Sequence, residues 1–386
     1  MLGGSATPGQ SLNEIVKLSK EPEETRNAFN QVFDTNFKLG SSQGDLKLRT
    51  TVASELYDHG LSKITAEDII IANATTGANH IVQQSLLRPG DHVICQYPIY
   101  GPCIEEPQAI GCEISYLRLD SLGNWSLNVK HLEELIKPGK TKLLMLNNPV
   151  NPTGTHISTE TQKAIVQVCK KHDIIIHSDE IFRPFFHESS EDVPISMIEH
   201  ADLTYDKIVV TSSLSKVYGL SGIRIGWIAT RSSEFRDTFL SYRAMSISSV
   251  SVADELIATE VLSPRCRSTI LAKHLKMAKT NIELVQQLVD KHADQCEWVR
   301  PTAGAVGFIK FKDIKTGEPV NDVEFCKELV DKKNLLLSPA SLCFDYSAVG
   351  DDFRGRARFH FTTTTANLQK GLQLIDEFLQ ERTLAT

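Results

Sequence analysis

A single lysine in the stretch TSSLSKVYGLSGIRIGW, residues 211–227, is placed for chemistry. Lys216 follows the apolar run KIVVTSS, where a solvated surface lysine would be out of place. Partial burial depresses the pKa of an amine, as a lysine needs to act as a nucleophile or to form a Schiff base. The competing interpretation is a surface lysine that caps a helix. That interpretation would be preferred for an isolated lysine, but the residues around it favour the chemical one.

A carboxylate and an amide follow two other apolar runs. DIIIHSDE ends at Asp179, and a carboxylate buried at a strand end needs a cationic partner, such as a protonated pyridine nitrogen. KLLMLN runs into NPVNPTG, whose prolines and glycine fix a turn that presents the Asn151 amide as a rigid donor. Taken singly, Asp179 is equally a candidate helix N-cap and Asn151 only a loop residue.

The fourth candidate is the turn ATTGANH, which follows the run DIIIAN and opens a helix. Gly77 allows close backbone approach, and the N–H groups of Ala78 and Asn79 could hold a phosphate at a helix N-terminus. Found singly, such a turn is a weak signal. Ligands of parallel α/β sheets bind in a crevice beyond the carboxyl ends of the strands, so we expect the four candidates to lie together.

The elements that carry these residues predict an α/β fold with a mostly parallel central sheet. Continuous apolar runs indicate strands that are buried on both faces between helix layers. The seven candidate strands are DIIIAN, HVICQ, EISYLRL, KLLMLN, DIIIHSDE, KIVVTSS and IRIGWIAT. After a long helix, about Arg265 to Ala293, the shorter strands EWVRP, VGFIKF and RARFHF predict a smaller α+β domain. We expect a large domain over 40–270 and a small domain formed by 1–39 and 271–386.

Composition narrows the class of protein. The 386 residues are 41% hydrophobic and 23% charged, and the net charge of −7 without long basic blocks argues against nucleic-acid or anionic-membrane partners. No apolar run approaches membrane-spanning length, and the N-terminus lacks the pattern of a secretory signal. Eight cysteines without CxxC spacing are interpreted as reduced thiols, which predicts a cytoplasmic location. No metal site is predicted.

Together the motifs resemble the fold-type-I, pyridoxal phosphate-dependent aminotransferases of classes I and II. The resemblance rests on Lys216 in SLSK, Arg224 eight residues later in GIRIGW, Asn151 in NPTG and Asp179 in SDEIF. Each motif is weak, but their order and spacing along almost the whole chain are specific. The resemblance implies a homodimeric enzyme that exchanges an amino group between an amino acid and a 2-oxo acid.

An alternative reaction class stays open within this resemblance. DEIFR and SKVYGLSGIRIGW are similar to a side branch that includes amino-acid cyclases such as capreomycidine synthase. The alternative is therefore a lyase, replacement enzyme or cyclase of an amino-acid substrate. A regulatory cofactor-binding domain fused to a DNA-binding module is disfavoured, because no helix-turn-helix pattern precedes residue 40.

The resemblance assigns roles to the central residues. Lys216 would form an imine with the aldehyde of pyridoxal 5′-phosphate and, once freed by substrate, remove the Cα proton. Asp179 would keep the pyridine nitrogen protonated, and Asn151 would donate to the ring O3′ oxygen.

The resemblance also assigns residues to the cofactor phosphate and to the substrate. Ser213 and Arg224 would bind the phosphate together with the Ala78 and Asn79 amides beyond Gly77, and Ser215 would bind it or support the turn. Tyr100 in YPIYG would stack on the cofactor ring, although a core tyrosine is the alternative. Arg358 in RFHF would bind the substrate α-carboxylate beside Asn151, with Arg356 as the competitor for this role.

Two positions depart from the family pattern. Phe182 stands where the family usually has a tyrosine that donates to O3′, and Leu39 stands where many members have a tyrosine that reaches the partner subunit's phosphate. Without the donor at Phe182, we expect the Lys216 imine to stay protonated to higher pH. Neutral drift and altered reaction specificity both remain open as explanations.

Overall fold

The structure is a computed structural model that describes residues 2–57, 63–121, 123–187, 193–344 and 353–384. Among these residues, eleven strands form two sheets, and each of the ten apolar runs expected to be a strand overlaps one of them. The seven-stranded sheet contains β1 (Ile69–Asn73), β2 (His92–Tyr97), β3 (Glu113–Arg118), β4 (Thr141–Asn147), β5 (Ile175–Asp179), β6 (Ile208–Ser213) and β7 (Ile225–Thr230). The four-stranded sheet contains β8 (Cys296–Trp298), β9 (Val306–Phe311), β10 (Ser338–Pro339) and β11 (Arg356–His360).

The seven-stranded sheet is mostly parallel, as predicted. Its order is β1-β7-β6-β5-β4-β2-β3, and β7 alone among these strands runs antiparallel to its neighbours β1 and β6. The carboxyl ends of β1, β4, β5 and β6 therefore meet at one edge, where β7 begins. This reversal explains how Arg224, which precedes a strand, reaches the same edge as residues that follow strands.

Helices cover both faces of this sheet because its strands are apolar on both sides. In β4, Leu143 and Met145 join one apolar cluster, whereas Leu144 and Leu146 join another. Thirteen α-helices lie within the described residues. They are α1 (Leu12–Leu18), α2 (Pro22–Asn30), α3 (Leu46–Leu56), α4 (Ala74–Leu86), α5 (Pro102–Ile110), α6 (Val129–Leu135), α7 (Thr159–Lys171), α8 (Ser233–Ser246), α9 (Val252–Leu262), α10 (Arg267–Lys291), α11 (Asp322–Lys333), α12 (Ala340–Cys343) and α13 (Thr365–Leu384).

The two sheets are joined by a continuous apolar core. The cluster that contains Leu144 and Ile176 of the large sheet also contains Ile309 and Phe359 of the small, antiparallel sheet. The chain's first residues lie along the small sheet, where the Leu2 carbonyl accepts a hydrogen bond from the His360 amide at 2.9 Å. The division at residues 40 and 270 stays a prediction.

Two further expectations bear on location. In the part of the chain that the structure describes, no helix combines the length and apolarity needed to cross a bilayer. All eight cysteines are free thiols.

Candidate active site

A pocket lies at the sheet edge where β1, β4, β5 and β6 end. Most of the residues predicted for the site line it: Asn79, Tyr100, Asn151, Asp179, Ser213, Ser215, Lys216 and Arg224. Gly77, Ala78 and Arg358 do not line it, although Arg358 contacts a residue that does. The described residues contain no group of three or more His, Cys, Asp or Glu side chains placed to hold a metal ion.

Asp179 is a buried carboxylate whose hydrogen-bond donors are neutral. It ends β5, and its two oxygens accept from the Asn79 Nδ2 group and the Ile181 amide, both at 3.0 Å. Asn79 is fixed in turn, because its Oδ1 accepts from the Thr211 hydroxyl at 2.5 Å. Burial raises the pKa of Asp179 to about 6, against the opposing effects of these hydrogen bonds and of the Lys216 charge. The carboxylate would gain from a cationic partner.

Lys216 is half-buried three residues beyond the end of β6. Its Nζ donates to the Ser5 hydroxyl at 2.8 Å. Burial is the largest cause that lowers the pKa of Lys216, and the charges of Arg358 and Arg224 lower it further while Asp179 opposes them. The direction of this shift is the one that nucleophilic and general-base chemistry requires, because it increases the neutral fraction of the amine.

Two asparagines connect Asp179 to Arg358. The Asn147 Nδ2 group donates to the Asp179 carbonyl at 2.9 Å, and the Asn147 Oδ1 accepts from the Asn151 amide at 2.8 Å. The Asn151 Oδ1 then accepts from an Nη of Arg358 at 3.2 Å. The Asn151 backbone N–H is therefore held by Asn147, and the Asn151 side-chain oxygen is bound by Arg358.

The structure separates Arg358 from its competitor Arg356. The second Nη of Arg358 donates to the Gly3 carbonyl at 2.7 Å, and its buried Nε has no hydrogen-bond partner. Arg356 instead lies over the Trp125 ring, with its guanidinium carbon 4.9 Å from the ring centroid. Of these two arginines, only Arg358 forms a hydrogen bond with a residue that lines the pocket.

The start of α4 revises the predicted backbone donors. The helix begins at Ala74, so the N–H groups that lack intrahelical partners are those of its first turn, near Thr75 and Thr76. Ala78 lies one turn further on and is fully buried in the core, while Asn79 contributes its side chain to Asp179. Thr75 and Thr76 line the pocket, and the buried Thr75 hydroxyl has no hydrogen-bond partner.

The turn before α4 meets the segment that carries Arg224. The Ala74 amide donates to the Arg224 carbonyl at 3.1 Å. A Cβ on Gly226 would lie 2.5 Å from the Ala74 backbone, so only glycine allows this approach. Ser213 is buried and its hydroxyl accepts from the Ser215 amide at 3.2 Å, whereas the buried Ser215 hydroxyl has no partner. Arg224 is exposed at the rim, with an Nη bound to the Ser221 carbonyl at 2.8 Å.

Aromatic and apolar residues form the remaining wall. Tyr100 lies at the rim with 36% of its surface exposed. Phe182 is buried, lines the pocket and packs with Ile181 and Ala305, so the position that departs from the family pattern does face the site. Leu39 is 75% exposed and does not line the pocket.

Sequence reasoning missed several residues that line the pocket, and Ser5, Thr75 and Asn147 are among them. Asn147 was accessible to it, because it ends a predicted strand next to the NPTG motif. The polar start of ATTGANH could likewise have identified Thr75. Ser5 had no local signal, because it lies 211 residues from Lys216 along the chain.

Comparison with known proteins identifies the family. The family model described as "Aminotransferase class I and II" matches residues 7–375. The chain belongs to the class I and II aminotransferase family. The aspartate aminotransferase of Thermotoga maritima is 24% identical over 351 residues, which cover 89% of this chain and 84% of that protein.

Solved structures agree with this assignment. A PLP-dependent aminotransferase from Streptococcus suis 89-1591 superposes with a TM-score of 0.85 and 28% identity, covering 98% of this chain and 93% of that one. The PLP-dependent cyclase OrfR has a TM-score of 0.83 at 22% identity over 99% and 93% of the two chains, which shows the shared fold. The predicted family, fold type, enzyme class and pyridoxal phosphate cofactor are confirmed.

The residues of this class I and II aminotransferase pocket fit pyridoxal phosphate. Asp179 is a buried carboxylate without a cationic hydrogen-bond donor among the described residues, which suits a protonated pyridine nitrogen. The unpartnered hydroxyls of Thr75 and Ser215, with Arg224 nearby, suit a phosphate group. Lys216 supplies an amine of lowered pKa between these two groups of residues.

Proposed function

We propose that this enzyme exchanges an amino group between an amino acid and a 2-oxo acid. The observation that carries the proposal is the convergence of Lys216 and Asp179 from adjacent strands β6 and β5 in one pocket. One group is a half-buried amine whose pKa is lowered, and the other is a buried carboxylate with only neutral donors.

Lys216 and Asp179 have separate tasks in this proposal. When bound, pyridoxal phosphate condenses with amines and withdraws electrons from the substrate Cα. The Lys216 amine accepts the Cα proton and returns it to a neighbouring atom, and its lowered pKa keeps more of it neutral. Asp179 would hold the ring nitrogen through a charge-assisted hydrogen bond, and the Asn79 and Ile181 donors fix the direction of its carboxylate.

The phosphate of the cofactor would be held by donors from three segments of the pocket wall. Ser213 stabilises the turn by accepting from the Ser215 amide, which leaves the Ser215 hydroxyl free to donate. The Thr75 hydroxyl and the first-turn amides of α4 would add donors just beyond the carboxyl end of β1, and the helix dipole favours an anion there. Arg224 closes the site with a full positive charge.

The substrate α-carboxylate is bound by Arg358. Its Nε has no hydrogen-bond partner, and a guanidinium binds a carboxylate best through two parallel hydrogen bonds. Asn151 orients Arg358 and presents its own amide to the same side of the pocket. Tyr100 covers the cofactor ring from the rim.

The test first asks whether pyridoxal phosphate binds covalently to Lys216, and then whether the loaded protein converts amino acids. Purified protein is incubated with pyridoxal phosphate, treated with borohydride and mapped by mass spectrometry; we expect a tag on Lys216. Amino acids are then added singly to the loaded protein, and we expect one class to give a 2-oxo acid and the pyridoxamine form of the cofactor. Absence of the tag would overturn the proposal.

Phe182 favours one second candidate, a lyase, replacement enzyme or cyclase of an amino acid. The side chain lines the pocket without a hydroxyl at a position that the family usually fills with tyrosine. Proton transfers around the cofactor therefore differ from those of tyrosine-bearing relatives. A substrate that is converted without any accumulation of the pyridoxamine form would favour this candidate over amino-group exchange.

We also propose that the enzyme is a homodimer. Three large apolar side chains, two before α3 and one in α8, are exposed: Phe33 88%, Leu39 75% and Met245 80%. The segments that carry Leu39 and Met245 meet, because the carbonyl of Ser42 accepts a hydrogen bond from Arg243 of α8. Exposed apolar groups of this size are typical of a protein interface. Light scattering should give twice the 42.9 kDa mass of the chain, and one chain's mass would contradict the dimer.

We propose a cytoplasmic location as well. Eight free thiols suit a reducing compartment, where disulfides are rare.

A further inference from the structure

The amine of Lys216 has a partner that the sequence motifs do not contain. Its Nζ lies 2.8 Å from the Ser5 hydroxyl oxygen, and Ser5 is half-buried at the pocket wall. Within the described part of the chain, Lys216 gives the Ser5 side chain its hydrogen bond. A hydroxyl can accept from an amine and still donate elsewhere, so Ser5 can hold the amine without consuming its lone pair.

Ser5 is fixed from both sides. On one side, the Leu2 amide donates to the Leu336 carbonyl at 3.0 Å and the Leu2 carbonyl accepts from the small sheet. On the other side, the Thr7 amide and hydroxyl both donate to the Lys216 carbonyl, at 3.1 and 2.7 Å. The Ser5 hydroxyl is therefore presented by a backbone that is tied to the lysine it contacts.

The same short segment reaches the guanidinium assigned to the substrate. The Gly3 carbonyl accepts from Arg358 at 2.7 Å, two residues before Ser5. Residues 2–7 thus lie between the small sheet and the turn that carries Lys216. Their backbone contacts the Arg358 side chain, and the Ser5 side chain contacts the Lys216 side chain. Thr7 and Leu2 already anchor this segment, so the Ser5 hydroxyl is not needed to anchor it.

We propose that Ser5 is a positioning residue that holds the free amine of Lys216 for its reactions, an inference that rests on the proposed function. A lysine side chain has four rotatable carbon bonds, and a fixed acceptor at its end selects among its conformers. The amine is free whenever it is not joined to the cofactor, and in that state it must accept and return a proton. A hydrogen bond from Nζ to Ser5 directs the nitrogen while leaving its lone pair available.

The test compares Ser5→Ala with the conservative Ser5→Thr. Gly9→Ala is the matched control, because a Cβ there meets only the Gly219 carbonyl at 3.9 Å and changes the same segment. Cofactor-free protein is mixed with pyridoxal phosphate, and the rate of imine formation is followed by absorbance across pH. The steady-state kcat and KM and the thermal unfolding temperature are measured on the same variants.

Three results would support the role. In Ser5→Ala, the alkaline plateau rate of imine formation and kcat should fall about three- to tenfold, the range expected for one lost hydrogen bond. The midpoint of the rate profile should move to lower pH, because an acceptor that stabilised the ammonium is gone. The amino-acid KM and the unfolding temperature should stay within error, and Ser5→Thr should restore both rates.

Other outcomes would overturn it. Equal plateau rates and equal kcat in Ser5→Ala and wild type would exclude a positioning role, as would failure of Ser5→Thr to restore them. A loss shared equally by Gly9→Ala would assign the effect to the segment and not to the hydroxyl. Wild-type protein that forms no imine would overturn the proposed function itself, and this is seen before any variant is compared.

Discussion

The two sheets contribute to the site in different ways. The seven-stranded sheet places Asp179, Ser213 and Lys216 at or just beyond strand ends, and strand pairing fixes the backbone of Asp179 and Ser213. The four-stranded sheet contributes Arg358, whose guanidinium is held by Asn151 and Gly3 from outside that sheet. The groups proposed for cofactor chemistry thus come from the ends of neighbouring strands of one sheet, whereas the group proposed for substrate binding is held by contacts with other elements.

Both regions bury a charge that lacks a full partner. Burial raises the pKa of Asp179 and lowers the pKa of Arg358, which means that each ionised form is disfavoured by its surroundings. Asp179 would be compensated by a resident cofactor and Arg358 by a passing substrate. Changes in the first region should therefore alter chemistry, and changes in the second should alter the amino-acid KM.

The largest effect is expected at the lysine. Lys216→Ala removes both the imine and the proposed base, so kcat should fall by at least about 10²–10⁴-fold, the contribution typical of general acid–base catalysis. The borohydride tag should also disappear. Lys207→Ala is the control near the other end of β6, where Lys207 forms a surface ion pair with Asp173 and should be dispensable. Full activity in Lys216→Ala would contradict the assignment of the cofactor chemistry to the seven-stranded sheet.

Asp179→Asn should separate activity from stability. The loss of the charge facing the ring nitrogen should lower kcat by about 10²–10³-fold, as for other groups that stabilise developing charge. The cofactor-free protein should become more stable by about 1–3 kcal/mol above pH 6. The Asn79 amide can rotate to satisfy the new side chain, since the Thr211 hydroxyl can donate or accept.

The pH dependence of that gain checks its cause. The pKa of Asp179 is raised in the folded state to about 6, so the ionised carboxylate destabilises the fold fully above that pH and progressively less below it. The difference between Asp179→Asn and wild type in denaturant unfolding should therefore vanish as pH falls toward the ordinary aspartate pKa of about 4. A stability difference between the two proteins that does not change with pH would indicate that it arises from packing and not from the ionised carboxylate.

Much of this organisation could be predicted from local sequence. The ten expected strands are present because continuous apolar, β-branched runs have few other buried solutions in an α/β chain. Residues at strand ends, such as Asp179, could be assigned to the site because parallel strands bring their carboxyl ends together. The residues of the site that lie at strand ends could therefore be predicted from the sequence.

Contacts that depend on the exact first residue of a helix, or on segments far apart in the chain, could not be predicted from the sequence. The donors assigned to Ala78 and Asn79 moved to the first turn of α4 because Ala74, whose own φ is positive at 56°, already begins the helix. Ser5 meets Lys216 only through tertiary packing of the chain's first residues, which no local pattern encodes. The two-residue strand β10 is likewise too short to show periodicity.

Arg358→Lys should change substrate binding and spare the cofactor. A lysine cannot form two parallel hydrogen bonds with a carboxylate, so KM for the amino acid and for the 2-oxo acid should both rise about ten- to hundredfold. The absorbance of the Lys216 imine should be retained. Arg356→Lys is the control, because Arg356 lies over Trp125 and has no proposed ligand. Equal rises in KM for both variants would remove the distinction between the two arginines.

The smallest effect is expected from Phe182→Tyr, which adds the hydroxyl that family members usually carry. Phe182 lines the pocket, so a hydroxyl there can donate to the O3′ oxygen and weaken the competing bond from the imine proton. The Lys216 imine should then lose its proton at lower pH, by up to about one pKa unit, in a spectrophotometric titration. Phe182→Leu keeps an apolar side chain without a donor and should leave this pKa where it is in wild type. A wild-type imine pKa already below that of Phe182→Tyr would contradict the assignment, because it would mean that O3′ has another strong donor in this pocket.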